Sequence, residues 1–338
     1  MGTEAVVSRV ALVTGAGGFV GSAVVRLLVK SIRSGDAPVD HVAALLRPGG
    51  SIERLKELPS TKDWSIHQTD LANRQDLERL LARVRPRAIV HTALDASAYG
   101  DVPEADRHRM NIAPLETLFR GLSGAAGARL VHTGSAWVLP SGDKLAEDVA
   151  VEPRSVYAEC KAAADRWLPL HGEKAGVPWI NLRLFNVFGK YEKPSRLLPY
   201  LVSRLAEGKE AHLSHGSQVR DFNDVDDIAQ AYLLALRAPE SACGRIYHIG
   251  SGRGTTARDF AMEVARLTGN GGLLRFDASY TPDQDLPCLV ADPSLGRRVL
   301  GWQPQADLES RIGRAVGWWL DRRNGTAIPQ DNETGMTS

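Results

Sequence analysis

Tyr157 and Lys161 stand four residues apart in Tyr157-Ala158-Glu159-Cys160-Lys161, a spacing that in a helix puts them on one face, one turn apart. A phenol with its ordinary pKa of about 10 is a poor proton donor or acceptor near neutrality. A neighbouring ammonium stabilises the phenolate and lowers that value. A tyrosine tuned in this way can hand a proton to a carbonyl oxygen, or take one back. Ser135, within His132-Thr133-Gly134-Ser135-Ala136-Trp137, comes after a strand-like run and offers a hydroxyl to orient such a carbonyl. Thr133 is its nearest competitor, and a turn or cap serine is the plainer alternative.

A second set lies near the start, in Thr14-Gly15-Ala16-Gly17-Gly18-Phe19-Val20-Gly21. Glycines here let the backbone turn tightly and approach a pyrophosphate, with the next helix N-terminus offering free N–H groups. No Lys follows the last glycine, which disfavours an ATP-type phosphate loop. The loop therefore points to a dinucleotide, with Gly15, Gly18, Phe19, Val20 and Gly21 as its contacts. A nicotinamide cation would further favour the Tyr157 phenolate.

The next strand ends Ala44-Leu45-Leu46-Arg47, without the acid that would hold an NAD ribose hydroxyl. A guanidinium there suits a 2′-phosphate instead, so NADP is expected and NAD is the alternative. Arg47 as a solvated loop residue is the competing explanation. Asp70 and Leu71 come after the third strand, where the carboxylate can accept from an adenine amino group. A helix N-cap is the other role open to Asp70.

Positioning these groups requires alternating strands and helices. Strand-like runs fall at 9–14, 41–46, 64–68, 88–92, 129–133 and 179–184. Val20, Val24, Val25 and Leu28 are spaced to form one face of a helix, and further helical patterns fall at 76–84, 110–122 and 155–171. Such alternation predicts an α/β fold with a doubly wound parallel sheet. Beyond residue 190, helices near 197–207 and 225–236 with a strand at 245–249 predict a smaller, less regular α/β C-terminal domain. The expected division is 1–185 for the dinucleotide, with 221–249 returning to it. Residues 186–220 and 250–323 form the substrate region, and 324–338 a polar tail. Ile312, Val316, Trp318 and Trp319 have helical spacing and belong to the core or to an interface between copies.

Composition bounds the class. At 338 residues the chain has room for about two domains. Lys plus Arg numbers 41 against 40 for Asp plus Glu, which excludes a general nucleic-acid coat and a disordered acidic chain. Three widely spaced cysteines, Cys160, Cys243 and Cys288, make no disulfide framework or zinc knuckle. His212 and His215 lack a completing ligand, so no metal is expected. The apolar run from Phe19 to Ile32 is interrupted by Arg26 and Lys30 and is too short to span a bilayer. A soluble, cytoplasmic protein with no membrane or nucleic-acid partner is expected.

Taken in order, these motifs resemble the extended short-chain dehydrogenase/reductases, in particular the NAD(P)-dependent sugar-nucleotide epimerases, dehydratases and reductases. The likeness runs from about residue 9 to 320. It includes His91-Thr92-Ala93, Asn111, Leu182 to Gly189, Arg220 to Asp227, His248 to Gly252, Ala291-Asp292-Pro293 and Leu300-Gly301-Trp302. The resemblance implies that Ser135, Tyr157 and Lys161 are catalytic, with Lys161 also gripping the nicotinamide ribose. It places Ala93 at the cofactor and Asn186 and Arg220 on the diphosphate of a nucleotide sugar. It also implies a homodimer formed through helices near 110 and 160. The alternative for Arg220 is an internal ion pair with Asp221, Asp224 or Asp226.

Departures from the family pattern narrow the chemistry. The 4,6-dehydratases it resembles carry Asp-Glu directly after the active-site hydroxyl residue, where this chain has Ala136-Trp137. Elimination of water lacks its acid and base. Epimerases of the family hold NAD and show an acid after the second strand, which is missing. Near Tyr280 to Asp283 the usual phosphate-binding Arg is absent, with Arg275 the nearest candidate. The expected activity is NADPH-dependent reduction of a nucleotide-linked 4-keto-6-deoxysugar. The alternatives are a nucleotide-sugar 4-epimerase and, in a different class, a non-catalytic dinucleotide sensor.

Overall fold

A computed structural model describes residues 9–94, 103, 106, 111–125, 127–280 and 285–325. The chain begins β1 (Val10–Thr14), α1 (Phe19–Arg33), β2 (His41–Leu46), β3 (Trp64–Gln68), α2 (Arg74–Val84), β4 (Ala88–His91), α3 (Ala113–Leu122) and β5 (Arg129–Ser135). It continues through β6 (Gly142–Leu145), α4 (Val156–Ala175), β7 (Trp179–Leu184), β8 (Val187–Phe188), α5 (Leu197–Ala206) and β9 (Ala211–Leu213). Next come β10 (Val219–Arg220), β11 (Asn223–Asp224), α6 (Val225–Arg237), β12 (Arg245–Ile249), β13 (Thr255–Thr256) and α7 (Ala257–Thr268). Three elements close it: β14 (Leu274–Phe276), β15 (Cys288–Ala291) and α8 (Leu308–Gly325).

Seven strands form one parallel sheet in the order β12-β7-β5-β4-β1-β2-β3. Parallel pairing needs crossovers, and the crossover helices cover both faces, so the inner strands are apolar on both sides, whereas the edge strand β3 stays partly exposed. Along β1, Ala11 and Val13 pack under α1 and α6, while Leu12 packs under α2, α3 and α4. The strand order reverses direction between β1 and β4. Crevices of this kind, at the carboxyl ends of strands, are where open α/β sheets bind ligands.

A separate core joins α5, α7 and α8 around Phe188, Phe222 and Phe260, with the Phe222 and Phe260 rings stacked at 4.2 Å. A four-stranded sheet, β13-β10-β15-β6, contributes Leu145, Leu289 and Ala291 to a further apolar cluster with Ala136, Val138 and Ala162. Its pieces are tied by Asp221, whose Oδ1 accepts from Ser251 N at 2.9 Å and Ser251 Oγ at 2.6 Å. Asp221 Oδ2 accepts from Gly252 N at 2.9 Å. One carboxylate thus satisfies the donors of the turn after β12 and explains why Arg220-Asp221 and Gly250-Ser251-Gly252 occur together.

Several expected boundaries shift. β5 runs on to Ser135, and α4 continues to Ala175, where Gly176 with φ +62° caps it in the left-handed region. α8 extends to Gly325, into the segment expected as tail. The rest of that tail, Met110 and residues 281–284 lie outside the described residues.

Glu192 is buried beside the β8 segment, where Gly189 N donates to its Oε2 at 3.3 Å and Arg196 Nε stands 3.8 Å from Oε1. Burial outweighs the arginine and pushes its carboxyl up from 4.5 to about 8. The folded state therefore holds this proton over a range where the unfolded chain has released it. Its stabilising share is complete below pH 4.5 and lost as pH rises through about 8. Denaturant melts should show the advantage of Glu192→Gln over wild type growing from pH 5 to pH 8.5. A constant difference would show that Glu192 is ionised throughout.

Candidate active site

Helix α4 is capped by Ser155, whose Oγ accepts from Ala158 N at 3.2 Å. Tyr157 sits half-buried in the first turn. Lys161, one turn deeper, is only 4% exposed, and its Nζ donates to the Thr133 carbonyl at 2.7 Å. Loss of water lowers its pKa from 10.5 to about 8, with Asp165 and Cys160 opposing the fall. The ammonium is thus still predominantly charged at neutral pH.

Thr133 is taken twice over. Its carbonyl holds Lys161, and its hydroxyl shares a 2.7 Å hydrogen bond with the buried Tyr232 hydroxyl. Desolvation raises the Tyr232 pKa, against the lowering effect of its hydrogen bond with Thr133. Ser135, at the end of β5, is the hydroxyl left over. Its Oγ accepts from Trp137 N at 3.3 Å, which leaves its own hydrogen to donate elsewhere. Ser135, Tyr157 and Lys161 therefore gather around the carboxyl end of β5.

Beneath Lys161 runs a polar layer that was not read from the sequence. Asp165 accepts from Asn181 Nδ2 at 2.5 Å and from Arg183 Nε at 2.8 Å, with both charged partners 3–4% exposed. Asn181 Oδ1 faces His132 Nδ1 at 3.0 Å, and since the amide nitrogen is spent on Asp165, this ring nitrogen carries the hydrogen. Burial lowers the pKa of His132, and that of His91 to about 3, so both rings are neutral. The available clue was Asn181 and Arg183 two apart on a strand whose six residues are all buried.

The glycine loop forms as its spacing requires. Gly15 takes φ +67°, and a Cβ on it would lie 2.8 Å from Ala93 N. A Cβ on Gly17 would meet Ser51 O at 2.6 Å, and one on Gly21 would collide with Gly15 O. Gly18 caps α1 without a side chain, and no acid occupies the helix's first turn. These uncapped N–H groups and the absence of side-chain bulk fit a pyrophosphate. Arg54, which the sequence did not mark, fastens the loop by donating to Gly17 O at 3.2 Å and to Tyr191 O at 2.9 Å.

The remaining expected residues are more scattered. Arg47 is exposed at the end of β2. Asp70 accepts from Ala72 N at 2.9 Å, and the cap of α2 is Asn73 instead. Leu71 packs against the α2 side of the core. Ala93 N donates to Thr14 Oγ1 at 3.4 Å beside the loop. Asn186 has a buried Oδ1 with no hydrogen-bond partner among the described residues. Arg220 is ion-paired, but with Asp285 rather than Asp221, Asp224 or Asp226. Its NH1 also donates to Leu286 O at 2.6 Å, and its guanidinium lies over Trp137 at 5.5 Å. His212 pairs with Glu210, and no metal-sized cluster of His, Cys, Asp and Glu stands among the described residues. Among them, too, no helix is long and apolar enough to cross a membrane.

A glycine loop at the switch point of a parallel sheet, facing a Tyr–Lys helix, defines a Rossmann-type nicotinamide-dependent enzyme. More particularly, the chain belongs to the NAD dependent epimerase/dehydratase family, whose model matches residues 11–250, and so to the extended short-chain dehydrogenase/reductases. It is 27% identical over 340 residues to a dTDP-glucose 4,6-dehydratase of Neisseria meningitidis serogroup B, covering 93% of this chain and 94% of that protein. It is 28% identical over 346 residues to a UDP-glucose 4-epimerase of Neisseria meningitidis serogroup C, covering 93% and 98%. Its structure is similar to that of the dTDP-glucose 4,6-dehydratase DesIV of Streptomyces venezuelae, solved with NAD bound. There the TM-score is 0.79 at 28% identity, with 94% of this chain and 98% of that chain covered.

Gly21→Ala should cost about 1–3 kcal/mol of stability through overpacking and abolish dinucleotide binding. Denaturation curves and cofactor fluorescence on the same sample check both; unchanged binding would show that the loop does not hold the pyrophosphate.

Proposed function

We propose that this protein reduces a ketone on a nucleotide-linked 4-keto-6-deoxysugar, using NADPH. The reading is carried by the pair of residues directly after Ser135. Ala136 and Trp137 enter an apolar cluster with Val138, Leu139 and Leu286. The two positions that in the dehydratases resembled hold an acid and a base here offer no proton transfer. Ketone reduction needs neither.

NADPH, when bound, supplies the hydride to the carbonyl carbon. Gly15, Gly18, Phe19, Val20 and Gly21 would hold its pyrophosphate, and Asp70, Leu71 and Ala93 would line its adenine and ribose side. Arg47 supports NADPH because a guanidinium in the place of a carboxylate attracts a 2′-phosphate. Ser135 donates to the substrate carbonyl oxygen and fixes its direction. Tyr157 gives that oxygen its proton, leaving a phenolate that the Lys161 ammonium stabilises. Lys161 can serve this way because its other direction is fixed by Thr133. Asn186 is proposed on the substrate side, where its buried Oδ1 fits a hydroxyl or amide donor. Arg220 can meet a diphosphate only by exchanging Asp285 for it. In this proposal residues 186–220 and 250–323 form the substrate half, and the enzyme is a cytoplasmic homodimer.

A second reading, a 4-epimerase retaining NAD, is supported by the UDP-glucose 4-epimerase relative; the NAD-bound structural neighbour, a dehydratase, supports the choice of NAD alone. The epimerase uses Tyr157 and Lys161 in the same roles but consumes no cofactor. A fluorescence titration with NADPH and NADH separates the two. Exchangeable binding that prefers NADPH, and loses about tenfold in affinity in Arg47→Ala as a charged hydrogen bond is removed, supports the reductase. NAD retained through purification supports the epimerase. Tyr157→Phe should cut turnover of a keto-sugar by roughly 10²–10⁴-fold with cofactor affinity unchanged. Equal turnover of wild type and variant would remove Tyr157 from the chemistry, and no turnover of any keto-sugar by either protein would support the dinucleotide sensor instead.

A further inference from the structure

Lys161 has an i+4 neighbour, Asp165, on the same face of α4. Both are buried, at 4% and 5% exposure. Asp165 is not free to serve Lys161 alone, because Arg183 from β7 pairs with its Oδ2 at 2.8 Å and Asn181 donates to its Oδ1 at 2.5 Å. Arg183 NH1 in turn faces His248 Nε2 at 3.2 Å, and His248 Nδ1 meets the Leu145 carbonyl at 2.9 Å. That ring nitrogen must donate to a carbonyl, so Nε2 accepts from Arg183 and His248 is neutral. The buried charges are therefore two cations and one carboxylate.

We propose that Asp165 is the positioning residue that keeps the Lys161 ammonium charged beneath Tyr157, and that Arg183 sets how much of the Asp165 charge reaches it. The proposal deepens the assigned role of Lys161 and rests on that assignment only for its effect on turnover. Asp165 touches neither substrate nor cofactor and acts through Lys161.

The groups facing Lys161 leave few others to do this. On its own helix stand Cys160, Tyr157 and Asp165. From β4 and β5 come His91 and His132, both held neutral by burial. From α6 comes Tyr232, whose hydroxyl is bonded to Thr133. The outer end of the row is Glu147, half-buried, which accepts from His248 N at 2.8 Å and lies on the Arg183 side. Asp165 is thus the carboxylate placed to offset the dehydration of Lys161. Guanidinium does not give up its proton in proteins, whereas a buried ammonium does. Any loss of negative charge from the trio is therefore relieved at Lys161.

Two variants should move Lys161 in opposite directions. Asp165→Asn removes the carboxylate and leaves Arg183 charged, so the Lys161 midpoint falls by about one pH unit or more. Arg183→Met frees Asp165 for Lys161, so the midpoint rises. The direct readout is the ¹³C titration of the lysine ε-carbon in full-length protein labelled at lysine, with the Lys161 signal assigned by its loss in Lys161→Met. Opposite shifts support the proposal. Unmoved midpoints, or both moving the same way, overturn it. Should Asp165→Asn not fold, an Arg183→Met midpoint that stays or falls overturns it alone.

Turnover is the second readout. The alkaline limb of ketone reduction should track the NMR midpoint in each variant, whereas a merely structural defect would lower the rate equally at all pH values. Shifts by NMR with no Tyr157-dependent turnover in wild type would leave the charge assignment standing and remove the ketoreductase.

Discussion

The site depends on one hydrogen bond, from the buried Lys161 ammonium to the Thr133 carbonyl. It fastens the first half of α4 to the end of β5, and with it the distance between the Tyr157 turn and Ser135. Dehydrating an ammonium is costly unless charge and hydrogen bonds compensate. Much of the nearby structure supplies that compensation. The Thr133 hydroxyl is turned away to Tyr232, Asp165 lies a turn below, and two neutral histidines on β4 and β5 fill the sheet face without adding positive charge.

The same economy of space governs the cofactor side. Gly15, Gly17 and Gly21 each lie against backbone atoms or Thr92 at distances no Cβ tolerates. The close approach that makes room for a phosphate thus also locks β1, α1 and the end of β4 together. Arg54 carries this constraint across to Tyr191, where Arg26 and Arg322 lie over the Tyr191 ring. The loop is therefore anchored to α8, far away in the chain, as well as to its own strand and helix.

Much of this was legible beforehand where the information is local. Strand-like runs read as β2, β3, β7 and β12 at their observed bounds; for β2 and β7 the reason is that a strand buried on both faces has few compatible compositions. The Tyr157–Lys161 spacing and the glycine loop were readable because helical periodicity and a missing Cβ are short-range properties. The small sheet was not, since β10 and β13 are two residues each and gain their pairing only from partners dozens of residues away. Helix α7 was missed although Phe260, Ala261, Val264 and Ala265 line its buried face. The internal ion pair weighed as the alternative for Arg220 falls on a different carboxylate for a related reason. Asp221 is adjacent in sequence, but it is spent on Ser251 and Gly252, and the guanidinium turns to Asp285.

The amino-acid sequence by itself determined the strand–helix alternation, the family and the candidates for the reacting groups, because each depends on residue types at separations of a few positions. Only the tertiary structure decided which groups are charged and which are spent. Solvation and pairing depend on what the fold brings alongside, and for Lys161 those neighbours come from β4, β5 and, through Asp165, β7.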